Sequence, residues 1–392
     1  MNLALEVPAL LGNHLKLNAE IFMSTYKILS FCGGGERGLM SVKMLQRLQE
    51  ENPGLLQSAD MLTGCSTGSI ISGFLALYKK YNTFETEKDV NSALECLLKL
   101  YIDVMPAAFS NGKQGDPKRP ILTSDHMDEF LGELGKLISP DLDAAKLASL
   151  CMFDLSDSFD LMFPSFNVQQ HEQRQPGSQY EVVTNNSWGM ALFNNLAYSP
   201  TGNVSLTEAI TASGAMQGMC PSAEVRKSVH GSEVLGYFVD GAYVNHDPTI
   251  AAVCMAVEQG HKLEEISVIC FGTGFMKNYL DNPSNTTEWG SEQWLNIKGE
   301  LEYTGSKVPP LFVNDSQKNP ILNMCLNGTS TNEIPQQSNM LLGQRYAYLN
   351  PDLGDVYLAE DCHKPHEIQE LINFSDNVSL LSANQVIRKY WG

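Results

Sequence analysis

Residues 26–50, YKILSFCGGGERGLMSVKMLQRLQE, pass from a β-type apolar run through a cluster of glycines into residues of helical spacing. Tyr26 to Phe31 reads as a strand, and Leu39, Val42, Leu45 and Leu48 line one face of a helix. Glycines between a strand and a helix let backbone N–H groups converge beside the helix start, which stabilises an anion. Gly33, Gly35 and Gly38 also satisfy G-x-G-x-x-G, the fingerprint of a dinucleotide turn. A ribose-binding acid should then stand at the carboxyl end of the next strand, and Asp60 comes before that strand. Three readings stay open at this point: a phosphate site, a site for a transient oxyanion, or a tight turn with no ligand.

Working outward, strand-type runs at Met61 to Gly64, Leu161 to Gln169, Tyr180 to Thr184, Gly236 to Val239 and Ile266 to Phe271 alternate with helix-type stretches. That alternation predicts an α/β layer structure with a mainly parallel sheet. The expected division is an N-terminal arm at residues 1–23, a core at 24–280 and a C-terminal cap at 281–392 packed on it. Residues 281–340 are rich in Asn, Ser, Thr and Pro, whereas RYAYL reads as a strand and EIQELINF and SANQVIRKY as helices.

Composition narrows the function. With 392 residues, 43% of them apolar, the chain is long enough for a large core. A formal net charge of −19, from 26 basic and 45 acidic side chains, argues against nucleic acid as a partner. The nine cysteines are scattered and form no C-x-x-C pair, which predicts small core residues in a reducing compartment and neither a disulfide frame nor a zinc site. The first residues carry Glu6 and Pro8 inside a short apolar run and no basic leader, so the expected location is the cytoplasm.

A second motif sits in DMLTGCSTGSIISGFLAL, where Gly64-Cys65-Ser66-Thr67-Gly68 forms G-x-S-x-G between a short strand and an apolar helix. In that context the serine stands on a sharp elbow with its hydroxyl exposed, and the flanking glycines Gly64 and Gly68 remove side chains that would clash. A serine nucleophile needs a proton acceptor. None of His230, His246, His261, His363 and His366 stands in a convincing late-strand loop, and each reads as an ordinary polar residue. The sharper candidate is Asp240, which ends the run LGYFVD and is followed by Gly241 and Ala242. An aspartate at its ordinary pKa of about 3.9 is a poor base, so its pocket would have to raise that value by desolvation.

Together these residues resemble the patatin-like phospholipases: CGGGERG resembles that family's glycine-rich oxyanion element, GCSTG its nucleophile elbow, and Asp240-Gly241-Ala242 its D-G-[GA] motif. ASGAMQGMCPSAEV, VNHDP and ISVICFGTG agree with further family segments in the same order. The resemblance runs from about Lys27 to Phe275, and it departs from the pattern at Cys32, where the family often has Asp. It implies a Ser-Asp dyad without histidine in a three-layer α/β sandwich, with Ser66 as nucleophile, Asp240 as base, and the amides of Gly33, Gly34 and Gly35 as the oxyanion hole. Arg37 matches a basic position that would steady the loop or a lipid phosphate. The expected activity is hydrolysis of acyl esters of glycerophospholipids with no cofactor and no metal. Expected partners are an acyl-lipid substrate and a membrane surface touched peripherally, with Lys113, Lys118 and Arg119 of NGKQGDPKRP as the local basic patch. An acyl-chain trough along MFPSF and GAMQGM is a further expectation, against the alternative that these residues are core. A weakly catalytic lipid-binding relative and a dinucleotide enzyme are the rival readings.

Overall fold

The computed structural model describes residues 26–112, 118–169, 171–174, 182–185, 187–275, 283–295, 321, 324, 333–354, 356 and 358–392. The expected N-terminal arm, Lys113 and most of the polar stretch 281–340 lie outside the described residues.

The strands are β1 (Tyr26–Phe31), β2 (Met61–Gly64), β3 (Asp160–Asn167), β4 (His171–Arg174), β5 (Val182–Asn185), β6 (Gly189–Asn194), β7 (Ala223–Arg226), β8 (Val234–Asp240), β9 (Ile266–Phe271) and β10 (Tyr346–Leu349). Eight of them make one sheet in the order β10-β9-β1-β2-β3-β8-β7, with β6 also paired to β3, and β4 and β5 form a separate hairpin. The run from β10 to β3 is parallel, and β6, β7 and β8 are antiparallel to their neighbours. The sheet is thus mixed, parallel on one side and antiparallel on the other. β6 and β7 are not anticipated from the sequence: the apolar run in GMALFN is only four residues long, and AEVR is a four-residue strand that alternates buried and exposed positions.

Apolar residues on both faces of the central strands create the three layers. On one side Leu29, Leu62, Phe163 and Ile269 join a core with α1 (Gly38–Glu51), α2 (Thr67–Tyr81) and α3 (Glu87–Lys99). On the other, Ile28, Met61, Met162 and Val268 pack against α6 (Thr249–Glu258) and the end of α7 (Ile334–Leu342). Between these lie α4 (Ser124–Ile138) and α5 (Leu206–Ser213) in the chain. Met162, Phe163 and Met219 are buried in the core, which removes them from the expected acyl trough. The C-terminal segment extends the same sheet through β10 and then lays α8 (Pro365–Asp376) on α1. Its end is pinned twice, because Trp391 Nε1 donates to Ser267 Oγ at 2.7 Å and Lys27 Nζ donates to the Trp391 carbonyl at 2.8 Å.

Pairing along β3 positions the site. β6 lies along one edge of β3, from Met162 to Asn167. On the other edge β2 pairs only as far as Met162, and β8 takes over from Ser165. β2 and β8 therefore run toward each other along one edge of β3 and meet end to end. The residues after β2 and the last residue of β8 face each other across that gap.

Candidate active site

Ser66 follows β2 and enters α2 with φ 54° and ψ −120°, a conformation that a residue with a side chain adopts only when its surroundings impose it. Its amide donates to Ser213 Oγ at 3.0 Å, and Ser213 Oγ donates in turn to the Pro164 carbonyl at 2.7 Å. The Ser66 carbonyl accepts from the Ser69 amide at 2.9 Å and the Ser69 hydroxyl at 2.6 Å. Close approach explains the elbow glycines: a Cβ on Gly64 would lie 2.0 Å from the Gly68 backbone, and one on Gly68 would lie 2.2 Å from the Phe31 carbonyl oxygen. Among residues 61–70 only Ser66 is not buried. The fold thus exposes the hydroxyl and packs away its supports.

Asp240 ends β8 with 1% of its surface exposed. Its Oδ1 accepts the Ala242 amide at 2.7 Å and lies 3.9 Å from the Cys65 thiol. Burial pushes its pKa up to about 7, opposed by the Ala242 amide and by a weak hydrogen bond from the Ser66 hydroxyl, and aided by the nearby charge of Glu360. That contact with Ser66 is looser than a full hydrogen bond, so Oδ2 is buried without a formal partner. Catalytic contacts are commonly long before substrate tightens them.

The glycine turn faces Ser66 from β1. A Cβ on Gly33 would lie 3.4 Å from Ser66 Cβ. One correction concerns the expected oxyanion donors: the Gly33 amide is already bonded to the His246 carbonyl at 3.1 Å. The amides of Gly34 and Gly35 have no partner among the described residues, and neither has that of Thr67, the first residue of α2. An amide after a nucleophile elbow is a recognised oxyanion donor, a rule the G-x-S-x-G pattern carries but the sequence reading did not apply to Thr67. Gly34 has φ 147°, and a Cβ there would lie 2.3 Å from Thr273 Oγ1, whose hydroxyl donates to the Gly33 carbonyl. Only glycine fits.

Arg37 is buried and pairs with Glu360 at 2.8 Å, while the Glu360 carbonyl accepts the Glu36 amide at 2.7 Å. Arg37 therefore ties the glycine turn to the C-terminal segment. Glu360 has no sequence signal of its own, because the pair spans 323 positions. Glu36 is fully buried with neither carboxylate oxygen partnered, and burial raises its pKa well above the ordinary value. His246 also enters the site: its Nε2 would lie 3.4 Å from a Cβ on Gly33. Burial and the Arg37 charge push its pKa down to about 4, and its Nδ1 has no partner to orient it. Asp60 accepts the Lys27 amide at 2.7 Å at the opposite end of β2, where it cannot reach a ligand on the glycine turn.

A strained serine, a buried carboxyl of raised basicity and unpaired amides on two turns together suit acyl transfer, in which a proton leaves the serine and negative charge develops on a carbonyl oxygen. Comparison with known proteins agrees. The model of the patatin-like phospholipase family matches residues 29–253. CotR of Bacillus subtilis is 25% identical over 379 residues, covering 94% of this chain and 99% of that protein. The teg protein of Priestia megaterium is 24% identical over 376 residues, covering 94% and 100%. The crystal structure of VipD from Legionella pneumophila covers 93% of this chain and 67% of its own at 11% identity and a TM-score of 0.40, a likeness too low to carry weight. With more than half of its length matched, the chain belongs to the patatin-like phospholipase family, and its general chemistry is lipid acyl hydrolysis.

Proposed function

We propose that the protein cleaves carboxylic ester bonds of glycerophospholipids, as a phospholipase A or lysophospholipase, through a Ser66–Asp240 dyad. Asp240 takes the hydroxyl proton as Ser66 Oγ attacks the ester carbonyl. The tetrahedral oxyanion is received by the amides of Gly34, Gly35 and Thr67. Collapse breaks the ester bond, Asp240 returns the proton to the departing alkoxide, and the acyl group stays on Ser66. Water, deprotonated by Asp240, then releases the fatty acid and restores both residues. Substrate comes from a lipid surface that the protein touches peripherally.

The observation that carries this reading is the buried Asp240 carboxyl, raised to about 7 and with an oxygen free of other partners, beside a serine held at a positive φ. Asp240 is favoured over His246 as the base because a histidine base needs an orienting partner on its second nitrogen, and His246 Nδ1 has none. The test is labelling by a fluorophosphonate, together with fatty-acid release from phosphatidylcholine vesicles. Wild type should label on Ser66 and release fatty acid, Ser66→Ala should do neither, and Asp240→Asn should lose at least about a thousandfold in rate. Equal release by wild type and Ser66→Ala would overturn the proposal.

A further inference from the structure

Beneath the glycine turn, on the face of the sheet covered by α6, Cys32, Asp247 and Cys270 meet from three separate segments. Cys32 follows β1 and precedes Gly33; Cys270 lies in β9, the parallel neighbour of β1; Asp247 follows His246, whose carbonyl holds the Gly33 amide. All three are buried.

Two of their three separations match those of a shared tetrahedral ion. Two sulfurs bound to one zinc at about 2.3 Å lie about 3.8 Å apart, and Cys32 Sγ is 3.7 Å from Cys270 Sγ. A sulfur and a carboxylate oxygen on one zinc lie about 3.5 Å apart, and Cys270 Sγ is 3.5 Å from Asp247 Oδ1. All the ligand atoms lie within 4.8 Å of one another. Independently of these distances, the cluster holds an uncompensated oxygen. Asp247 Oδ1 accepts the Thr249 amide at 3.0 Å, but Oδ2 is buried with no partner. The phenol of Tyr346, on the strand next to Cys270, is also buried without one. Buried polar atoms are nearly always satisfied, so orphaned oxygens beside a thiol pair point to a missing guest.

We propose that Cys32, Asp247 and Cys270 bind one thiophilic divalent ion of the zinc class, as two thiolates and a carboxylate. Water or the Tyr346 phenol completes the tetrahedron. Loading releases the two thiol protons to solvent and forms two metal–sulfur bonds, with no change of oxidation state. Because the site is closed, the ion enters as the chain folds. Its role is structural: it joins the segment that carries Gly33 to the segment that carries His246. The proposal is independent of the hydrolytic reading, since Ser66 chemistry uses no metal.

The probe is cobalt. Full-length protein refolded under reducing conditions with Co²⁺ should develop a thiolate-to-cobalt charge-transfer band that Zn²⁺ displaces. Cys254→Ser, which removes an exposed thiol, should keep the band. Cys32→Ser and Cys270→Ser should lose it. Wild type purified from zinc-supplemented cells should carry about one zinc per chain, and refolding it with a chelator should lower its melting temperature. A wild type that shows neither band nor zinc would overturn the proposal even if the variants fail to fold. So would a band that survives both serine substitutions, or a Cys32–Cys270 disulfide that reductant opens to alkylation.

Discussion

Asp240 should give the protein a characteristic pH response. Its folded pKa of about 7 lies above the value of about 3.9 expected in the unfolded chain. As the proposed base it must be ionised to act, so kcat/KM should fall as pH drops below about 7, with a midpoint that reports this residue in the free enzyme. Stability runs the other way. A raised carboxyl pKa means that the folded state holds a proton the unfolded state releases, so its contribution is fully present below the unfolded value and is lost as pH rises through 7. Asp240→Asn should therefore abolish activity while raising stability at pH 8, by at most about 4 kcal/mol. Chemical denaturation of both proteins at pH 5 and pH 8 checks this: the gain should be largest at pH 8 and fall to about 1.5 kcal/mol at pH 5. A variant less stable than wild type at pH 8 would contradict it. His246, neutral through this range, should contribute no titration to the profile.

At the scale of elements, the elbow works because several short segments hold it. Ser213 at the end of α5 receives the Ser66 amide and donates to the Pro164 carbonyl within β3, so it connects three elements at once. Ser213→Ala leaves a strained amide unpaired and should destabilise the protein by about 1–3 kcal/mol, with a larger loss in kcat than in substrate affinity, since the Ser66 hydroxyl is displaced. Urea unfolding and steady-state kinetics separate the two effects. In the glycine turn, Gly34→Ala forces a Cβ onto Thr273 and should displace the Gly34 and Gly35 amides, the proposed oxyanion donors. Loss of one such donor typically lowers turnover by about a hundredfold or more. The labelling rate by a fluorophosphonate, whose phosphoryl oxygen uses the same donors, should fall in parallel.

The whole molecule supports the site from its far end. Arg37 and Glu360 are a largely buried pair that fastens the turn of β1 to the C-terminal segment, and the same segment adds β10 and lays α8 over α1. Removing one partner leaves the other uncompensated, which in buried pairs costs about 3–5 kcal/mol. Glu360 keeps some solvent contact, so the lower end of that range is expected for Arg37→Ala, read as a drop in melting temperature. Arg37→Lys should restore charge but not the geometry of the guanidinium, recovering stability more than activity. Among the described residues no helix is long and apolar enough to cross a membrane.

The strands β1, β2 and β9 and the strand–elbow–helix around Ser66 were legible because each is a local pattern: a continuous apolar run, or glycines beside a serine between a strand and a helix. The alternation of strands and helices likewise carried the α/β class. What lay beyond the sequence is whatever depends on pairs far apart in the chain. That β2 and β8 meet head to head on one edge of β3 follows from strand register, which no single segment encodes. The engagement of the Gly33 amide by His246, the Glu360 partner of Arg37, and the gathering of Cys32, Asp247 and Cys270 without any C-x-x-C spacing arise the same way. Local sequence sets backbone preference and the chemistry each residue can do. Only packing of the whole chain decides which amide stays free, which carboxyl loses its water, and so which groups can act.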